Sequence, residues 1–326
     1  MRWKAWIGLL VSALFLYLSV QKVDLDEMKI ALHRAHYLYL IPSSLLLLLG
    51  FWVRAYRWKF LLKPVKIIPT RDLFAATMIG FMGNNVLPAR LGELMRADAI
   101  GRRASLSRTT AFATIIIERL FDGMTLLLFL VGTLSLSVFP DWIRRGGMWA
   151  LGLYVLLIAV LYLFHIRTST AVGFIEYLLR PLPDRLSERL VVQLQRFALG
   201  LDVLSQPGRL ISTSFLSLVL WVINVASIHC IMEAFALDLP AYAAFTVIAV
   251  LSLGVSLPSS PGFVGVFQGF CIVALALFGV SRSVALGFSI VLHVSGYVPV
   301  TAIGLLYFWK AHLSFKGIKM LPKEGS

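Results

Sequence analysis

Long apolar runs dominate this chain. Stretches 6–20, 37–53, 109–138, 148–166, 210–235 and 284–309 are rich in Leu, Val, Ile, Phe and Ala. Most approach or exceed the about 20 helical residues that cross a hydrocarbon core. Two further apolar stretches, 73–87 and 242–280, are interrupted by polar and helix-breaking residues. In the first, Asn84 and Asn85 precede Pro88, and a proline removes a backbone donor and clashes with the preceding turn. Beyond it Arg90, Glu93 and Arg96 recur every three residues, on adjoining parts of one helical face. In the second, Pro258 and Pro261 flank Ser259 and Ser260 and are followed by Gly262, Gly265 and Gln268. The pattern predicts an all-α, polytopic helical membrane protein with six crossings and two re-entrant helical hairpins.

The two interruptions share a frame. Leu87-Pro88-Ala89-Arg90-Leu91-Gly92 and Leu257-Pro258-Ser259-Ser260-Pro261-Gly262 both read LPxxxG, 170 positions apart. A six-residue match also arises by chance, but paired broken segments in corresponding halves are the sequence pointer to a transporter's binding site. Pro88, Gly92, Pro258 and Pro261 are the expected hinges. If both termini are cytoplasmic, the inner loops hold 23 of the 30 basic residues, six of them in a loop over 54–71, as the positive-inside rule requires. With that orientation, repeat 37–138 and repeat 210–309 have opposite topology: inverted repeats within a single integral membrane domain, 1–326.

Composition sharpens the class. The chain is 59% hydrophobic and 14% charged, with mean hydropathy +0.85, which excludes an ordinary soluble domain. Its net charge of +14 comes from short clusters beside apolar runs, so membrane topology accounts for it and no nucleic-acid partner is expected. Cys230 and Cys271 lie inside apolar runs and build no disulfide framework or metal site. Arg2 and Lys4 before the first run read as the start of an uncleaved helix, since Ser19-Val20-Gln21 is a poor cleavage site.

Between the repeats, 169–208 reads as a cytoplasmic connector broken at Pro181 and Pro183. After Asp184, Leu186, Leu190, Leu194, Phe197, Leu201 and Leu204 keep helical spacing opposite Arg189, Gln193 and Arg196. Such an amphipathic helix either lies on anionic head groups or packs on the bundle. The basic tail from 310 on is a topology anchor or a lipid-facing element.

Charges inside the apolar runs carry the candidate chemistry. Glu118, Arg119 and Asp122 sit in one run, where each costs a few kcal/mol near the bilayer centre and must face protein or water. Their spacing lets Arg119 pair with either carboxylate. They form a self-neutralised structural cluster, or Arg119 or an incoming cationic head group competes for the carboxylates of Glu93, Glu118 and Asp122, or Arg90, Arg96 and Arg119 together hold a phosphate, for which the planar fork of arginine is suited. In the second hairpin, Ser259, Gly262 and Gln268 either offer amides and hydroxyls to an anion or serve close packing. His229 and Glu233, four apart, read as an interfacial pair, and His293 as a packing residue.

Asn85, Leu87-Pro88, Arg90, Gly92-Glu93, Arg96, Glu118-Arg119, Asp122, Pro258, Pro261-Gly262 and Gly265 together resemble the flippase-like membrane family typified by the transmembrane region of lysylphosphatidylglycerol synthases. The resemblance implies movement of phospholipids or head-group-modified lipids between leaflets of the bacterial inner membrane. Phe263 and Gln268 depart from that pattern, standing where it has a second glycine and an acidic residue.

No Walker, GxSxG or HExxH motif occurs, so no cofactor, metal or nucleotide is expected. The expected partners are a membrane phospholipid or lipid-linked substrate, and a second copy of the chain or a lipid-modifying enzyme. A membrane enzyme using Glu93 or Glu118 as general base, and an accessory scaffold subunit, are the competing readings. Under the transport reading, alanine at Arg90 or Glu118 removes leaflet exchange and leaves folding intact.

Overall fold

The computed structural model of the chain describes residues 2–87, 90–134, 141–179, 184–201, 206–257 and 259–313. Pro88 and Pro258, two of the expected hinges, lie outside these residues, as do Pro181, Pro183 and the tail from 314 on. The described residues form helices and connecting turns, with no strand among them.

The first two helices, α1 (Arg2–Val20) and α2 (Leu25–Arg34), meet at a bend of 88°. The bend has a local cause. The Asp24 carboxylate accepts from the backbone N–H groups of Asp26 and Glu27, at 2.9 and 3.2 Å, and caps α2. Asp26 and Glu27 in its first turn and His33 and Arg34 in its last complement the helix dipole.

Four helices follow: α3 (Leu40–Leu62), α4 (Thr70–Val86), α5 (Gly92–Ala104) and α6 (Arg108–Leu134). Leu87, the residue before the proline, is extended at φ −104° and ψ 146°, which ends α4. The two arms α4 and α5 then pack on one another as a helical hairpin. After α7 (Asp141–Ile166), α8 (Thr168–Leu179) and α9 (Asp184–Gly200) comes a second set: α10 (Pro207–Ala234), α11 (Tyr242–Val255), α12 (Val266–Ala276) and α13 (Arg282–Lys310). Here α11 and α12 are the arms of the second hairpin, joined through a tight turn at Pro261–Phe263.

The sets interlock. Helices α3 and α10 run antiparallel, with Ser43 against Ser227 at one end and Arg57 against Ser217 at the other. The first arm of each hairpin packs on the last helix of the other set, α4 on α13 and α11 on α6. Among the described residues, two large apolar cores and two smaller clusters result. One large core gathers Trp58, Leu62, Leu73 and Ile115 from the first set, and the other Ile231, Val247, Leu275 and Phe288 from the second.

This is a multi-pass membrane protein. Four helical stretches are long and apolar enough to cross a membrane, Tyr37–Leu62, Arg144–Ile166, Pro207–Ala234 and Arg282–Lys310, and the bent α1–α2 pair makes up to five. Helix α6, expected as a sixth crossing, has 27 residues, ample length at 1.5 Å per residue, but falls outside that set. Its apolar run is interrupted by Glu118, Arg119 and Asp122.

The expected inner loop over 54–71 is corrected. Arg54 and Arg57 belong to α3 and are buried, so they anchor no loop. A helix continues through two arginines because carboxylates on α6 neutralise them. The amphipathic helix α9 packs on α6, where the Thr109 hydroxyl bonds the Gln193 side chain and the Thr110 hydroxyl donates to the Arg196 carbonyl at 3.0 Å.

Gly92, expected as a hinge, is instead where α5 crosses α4. A Cβ there would collide with the Gly80 carbonyl and lie 2.5 Å from the Asn84 backbone nitrogen. Gly92→Ala is therefore expected to destabilise the protein by about 1–3 kcal/mol. A thermal melt in detergent indistinguishable from the unchanged protein would refute this crossing.

Candidate functional site

Three helices bring seven charges together. Arg54 and Arg57, three apart on α3, point at α6. Glu93 and Arg96, three apart on α5, face it from the other side, as their spacing predicts. Arg96 grips Glu118 with two arms, at 2.8 and 2.9 Å, and both side chains are 0% exposed. Arg54 reaches Glu118 at 3.1 Å and Asp122 at 2.6 Å. Arg57 holds the other Asp122 oxygen at 2.8 Å, and the Trp221 indole N–H donates to that oxygen at 3.1 Å. Arg119 stands 3.4 Å from Glu93, 3.4 Å from Glu118 and 3.5 Å from Asp122. Aromatic faces complete the shell, with the Arg96 guanidinium 3.9 Å from the centre of the Trp58 ring.

Arg119 lies near both carboxylates, as its spacing predicts, but their main partners come from α3 and α5. The carboxylates are paired across helices rather than within α6, and four arginines against three carboxylates leave the cluster with an excess positive charge. Charges taken out of water are tolerated only when paired in this way, and the pairing remains incomplete. Arg57 Nε and Nη2, Arg96 Nε and Arg119 Nε are buried without a hydrogen-bond partner.

Beside the cluster lies a cavity of about 400 Å³ between the two sets of helices. Arg54, Arg119 and Asp122 form its charged side, and Phe51, Phe81, Phe267 and Leu126 are among its apolar walls. Tyr154 brings α7 into the wall, packed against Gly123. At 32% exposed, Arg119 is the least enclosed arginine of the cluster.

The hairpin tips meet at this cavity. Arg90 is left-handed, at φ 55°, and its Nη2 donates to the Val255 carbonyl at the end of α11, at 2.5 Å. Its guanidinium lies 5.9 Å from the Phe263 ring. Gly262, left-handed at φ 69°, has no room for a side chain, since a Cβ would sit 2.8 Å from the Tyr297 ring and 3.3 Å from the Asn85 carbonyl. A left-handed arginine costs on the order of 1–2 kcal/mol, and such strain concentrates where a side chain must be aimed.

The expected phosphate trio is therefore split. Arg90 and Arg119 line the cavity, whereas Arg96 is sealed behind Glu118. The shared face of Arg90, Glu93 and Arg96 also fails at its first member, because Arg90 precedes α5 and turns the other way. Asn85 lines the cavity and donates to Thr301 at 2.8 Å, while Asn84 is buried with its Oδ1 unbonded.

In the second hairpin the polar groups serve the fold. The Gln268 carbonyl accepts from the Gly265 N–H at 2.8 Å, capping α12, and its amide contacts His293 Nδ1 at 3.0 Å. Ser259 packs its carbonyl against Gly8, and the Ser12 hydroxyl accepts from the Ser260 N–H at 2.8 Å. One backbone donor at the expected anion site, the Gly265 N–H at the start of α12, is thus already taken by a side-chain cap. Pro261 opens the turn and is the described member of the second hinge pair. His229 and Glu233 pair at 3.5 Å, each about half exposed.

Sequence reasoning missed Arg54, Arg57, Trp221 and Tyr154, while His293, read as a packing residue, stacks on Phe267 and also lines the cavity. For the first two a signal was present. Ala55, Tyr56, Trp58 and Phe60-Leu61-Leu62 carry the apolar run past both arginines, so the helix had no reason to stop at residue 53. The others sit singly on apolar helices, where no local pattern separates a cavity wall from a packing position.

Comparisons with known proteins point to a family of membrane proteins. A UPF0104 membrane protein of Methanothermobacter thermautotrophicus is 24% identical over 94% of this chain and 95% of its own length. Glycosyltransferase AglD of Haloferax volcanii is 24% identical over 88% of this chain, which spans 51% of that relative's length. A UPF0104 membrane protein of Methanocaldococcus jannaschii is 25% identical over 47% of this chain and 49% of its own length. No solved structure matches the chain significantly. The model of the lysylphosphatidylglycerol synthase transmembrane region matches residues 5–304. The chain belongs to the lysylphosphatidylglycerol synthase transmembrane-region family.

Proposed function

We propose that this protein moves a phosphate-bearing membrane lipid between leaflets of a prokaryotic cytoplasmic membrane. The observation that carries this reading is the arginine-lined cavity where the tips of two helical hairpins meet. Arg90 and Arg119 attract the phosphate, and the apolar walls take the start of the acyl chains. The lipid's own hydrophobicity keeps its tails outside, so only the head group needs a path. The resemblance in sequence pointed to a bacterial membrane, and the matched relatives are archaeal; the reading applies to either.

The pairing of helices supports inverted repeats. Exchanging α3, α4, α5 and α6 for α10, α11, α12 and α13 maps each neighbouring pair onto another neighbouring pair: α3–α4 onto α10–α11, α5–α6 onto α12–α13, and α4–α13 onto α11–α6. Repeats of this kind place the site between two broken elements and let one rock against the other. The hairpins are then re-entrant, and the Arg90 bond to Val255 is a contact that rocking breaks and remakes. Both termini are cytoplasmic in this arrangement.

Reconstitution tests the proposal. Vesicles containing the purified chain are expected to expose an inner-leaflet fluorescent phospholipid to an external quencher faster than protein-free vesicles. Equal rates for every head group tried would overturn it. A second reading, a membrane enzyme acting on a lipid phosphate or glycosyl lipid, draws on the name of the Haloferax relative. Its general base would be Glu93, since Glu118 is enclosed by arginines, and product formation by the purified chain would favour it.

A further inference from the structure

The cavity's charge is one-sided. Each carboxylate near it is already engaged: Glu118 by Arg96 and Arg54, Asp122 by Arg54, Arg57 and the Trp221 N–H, and Glu93 by Arg119. Asp122 is the one acidic residue among the described lining residues, against Arg54, Arg90 and Arg119. Arg90 donates to the neutral Val255 carbonyl, and among the described residues no carboxylate pairs with it at bonding distance. Arg119 turns a partly open guanidinium to the same space, its buried Nε set against Glu93 and its other nitrogens held only by long contacts of 3.4 and 3.5 Å to Glu118 and Asp122. An ammonium group placed here finds no free carboxylate and faces the repulsion of two arginines. A phosphate finds both arginines, at a site whose apolar walls weaken competition from water.

We infer that the head group this cavity accepts is net anionic, a phosphate with neutral hydrogen-bonding substituents, and that lipids with an aminoacyl ammonium are excluded. The neutral remainder of the head meets Asn85, Asn224, Ser256 and Tyr297, which bond hydroxyls and carry no charge. This chain thus differs in substrate charge from what the name of its family would suggest, because a lysyl-modified phosphatidylglycerol carries a net positive head. The inference rests on the lipid-translocation reading and adds the class of lipid to it.

Binding to the purified full chain in neutral detergent tests it. Phosphatidate, phosphatidylglycerol, phosphatidylcholine, lysyl-phosphatidylglycerol and free glycerol phosphate are titrated separately against intrinsic tryptophan fluorescence, with native mass spectrometry for stoichiometry. The two anionic lipids are expected to bind at least tenfold more tightly than lysyl-phosphatidylglycerol, and also tenfold more tightly than glycerol phosphate, which lacks the chains. Arg90→Glu is expected to erase or reverse the preference. Equal or tighter binding of the lysylated lipid overturns the inference, as does the absence of binding by any lipid. Equal affinity for glycerol phosphate overturns a lipid as the source of the anion. Leaflet exchange, measured separately, judges translocation on its own: a chain that exchanges lysylated and anionic lipids alike fails the inference and keeps the transport reading.

Discussion

Replacing Glu118 by alanine is expected to cost the fold about 3–5 kcal/mol, a far larger effect than on a solvent-exposed carboxylate. Glu118 is fully buried and accepts two bonds from Arg96, which is equally buried, and a third from Arg54. Removing it leaves two guanidinium groups with less charge to balance them, in a network where Arg57 Nε and Nη2 and Arg96 Nε already lack partners. The expectation that alanine at this position spares folding is thus corrected by burial. Unfolding in mixed micelles of mild and denaturing detergent measures the cost. The double change Glu118→Leu with Arg96→Met should recover much of the loss, because it replaces the pair with apolar volume instead of stranding one charge. A single variant within about 1 kcal/mol of the unchanged protein would mean that the network does not hold these helices together.

Arg90 gives the opposite split between stability and activity. Its side chain is exposed and donates to a neutral carbonyl at the other hairpin tip, while its backbone is left-handed. Arg90→Gly should leave stability unchanged or raised, since glycine adopts φ 55° without strain. The same change removes a charge-assisted bond to phosphate, worth about 1.5–3 kcal/mol. Leaflet exchange should therefore fall about 10- to 100-fold. Exchange at the unchanged rate in a well-folded Arg90→Gly protein would remove this residue from the path. Loss of both folding and exchange would make it a structural latch.

Much of the architecture was legible because lipid imposes simple demands. Runs of apolar residues had to become helices, since the backbone has no other partner in hydrocarbon. Prolines next to polar or small residues marked the hairpin turns, whereas Pro42 and Pro299 sit inside continuous helices. The charges of α6 announced themselves as buried because solvation by lipid tails is too costly. Other positions carried no such mark. Arg54 and Arg57 read as the start of a loop, by the same rule that places basic residues at membrane edges. Only the approach of α3 to α6 turns them inward. Gln268 read equally well as a ligand or a packing residue, and only the fold of the turn brings its side chain back to cap the Gly265 N–H.

By itself, then, the sequence determined the class of protein, the places where its helices break, and the carboxylates that need partners, since each follows from the transfer of short segments out of water. The tertiary structure alone decided which arginine meets which carboxylate, and so which cations remain for a ligand. Arg96 is spent on Glu118, whereas Arg90 is turned by a left-handed backbone toward the other hairpin. That allocation depends on distances between residues far apart in the chain, because a charge-assisted hydrogen bond forms only when the groups come within about 3 Å.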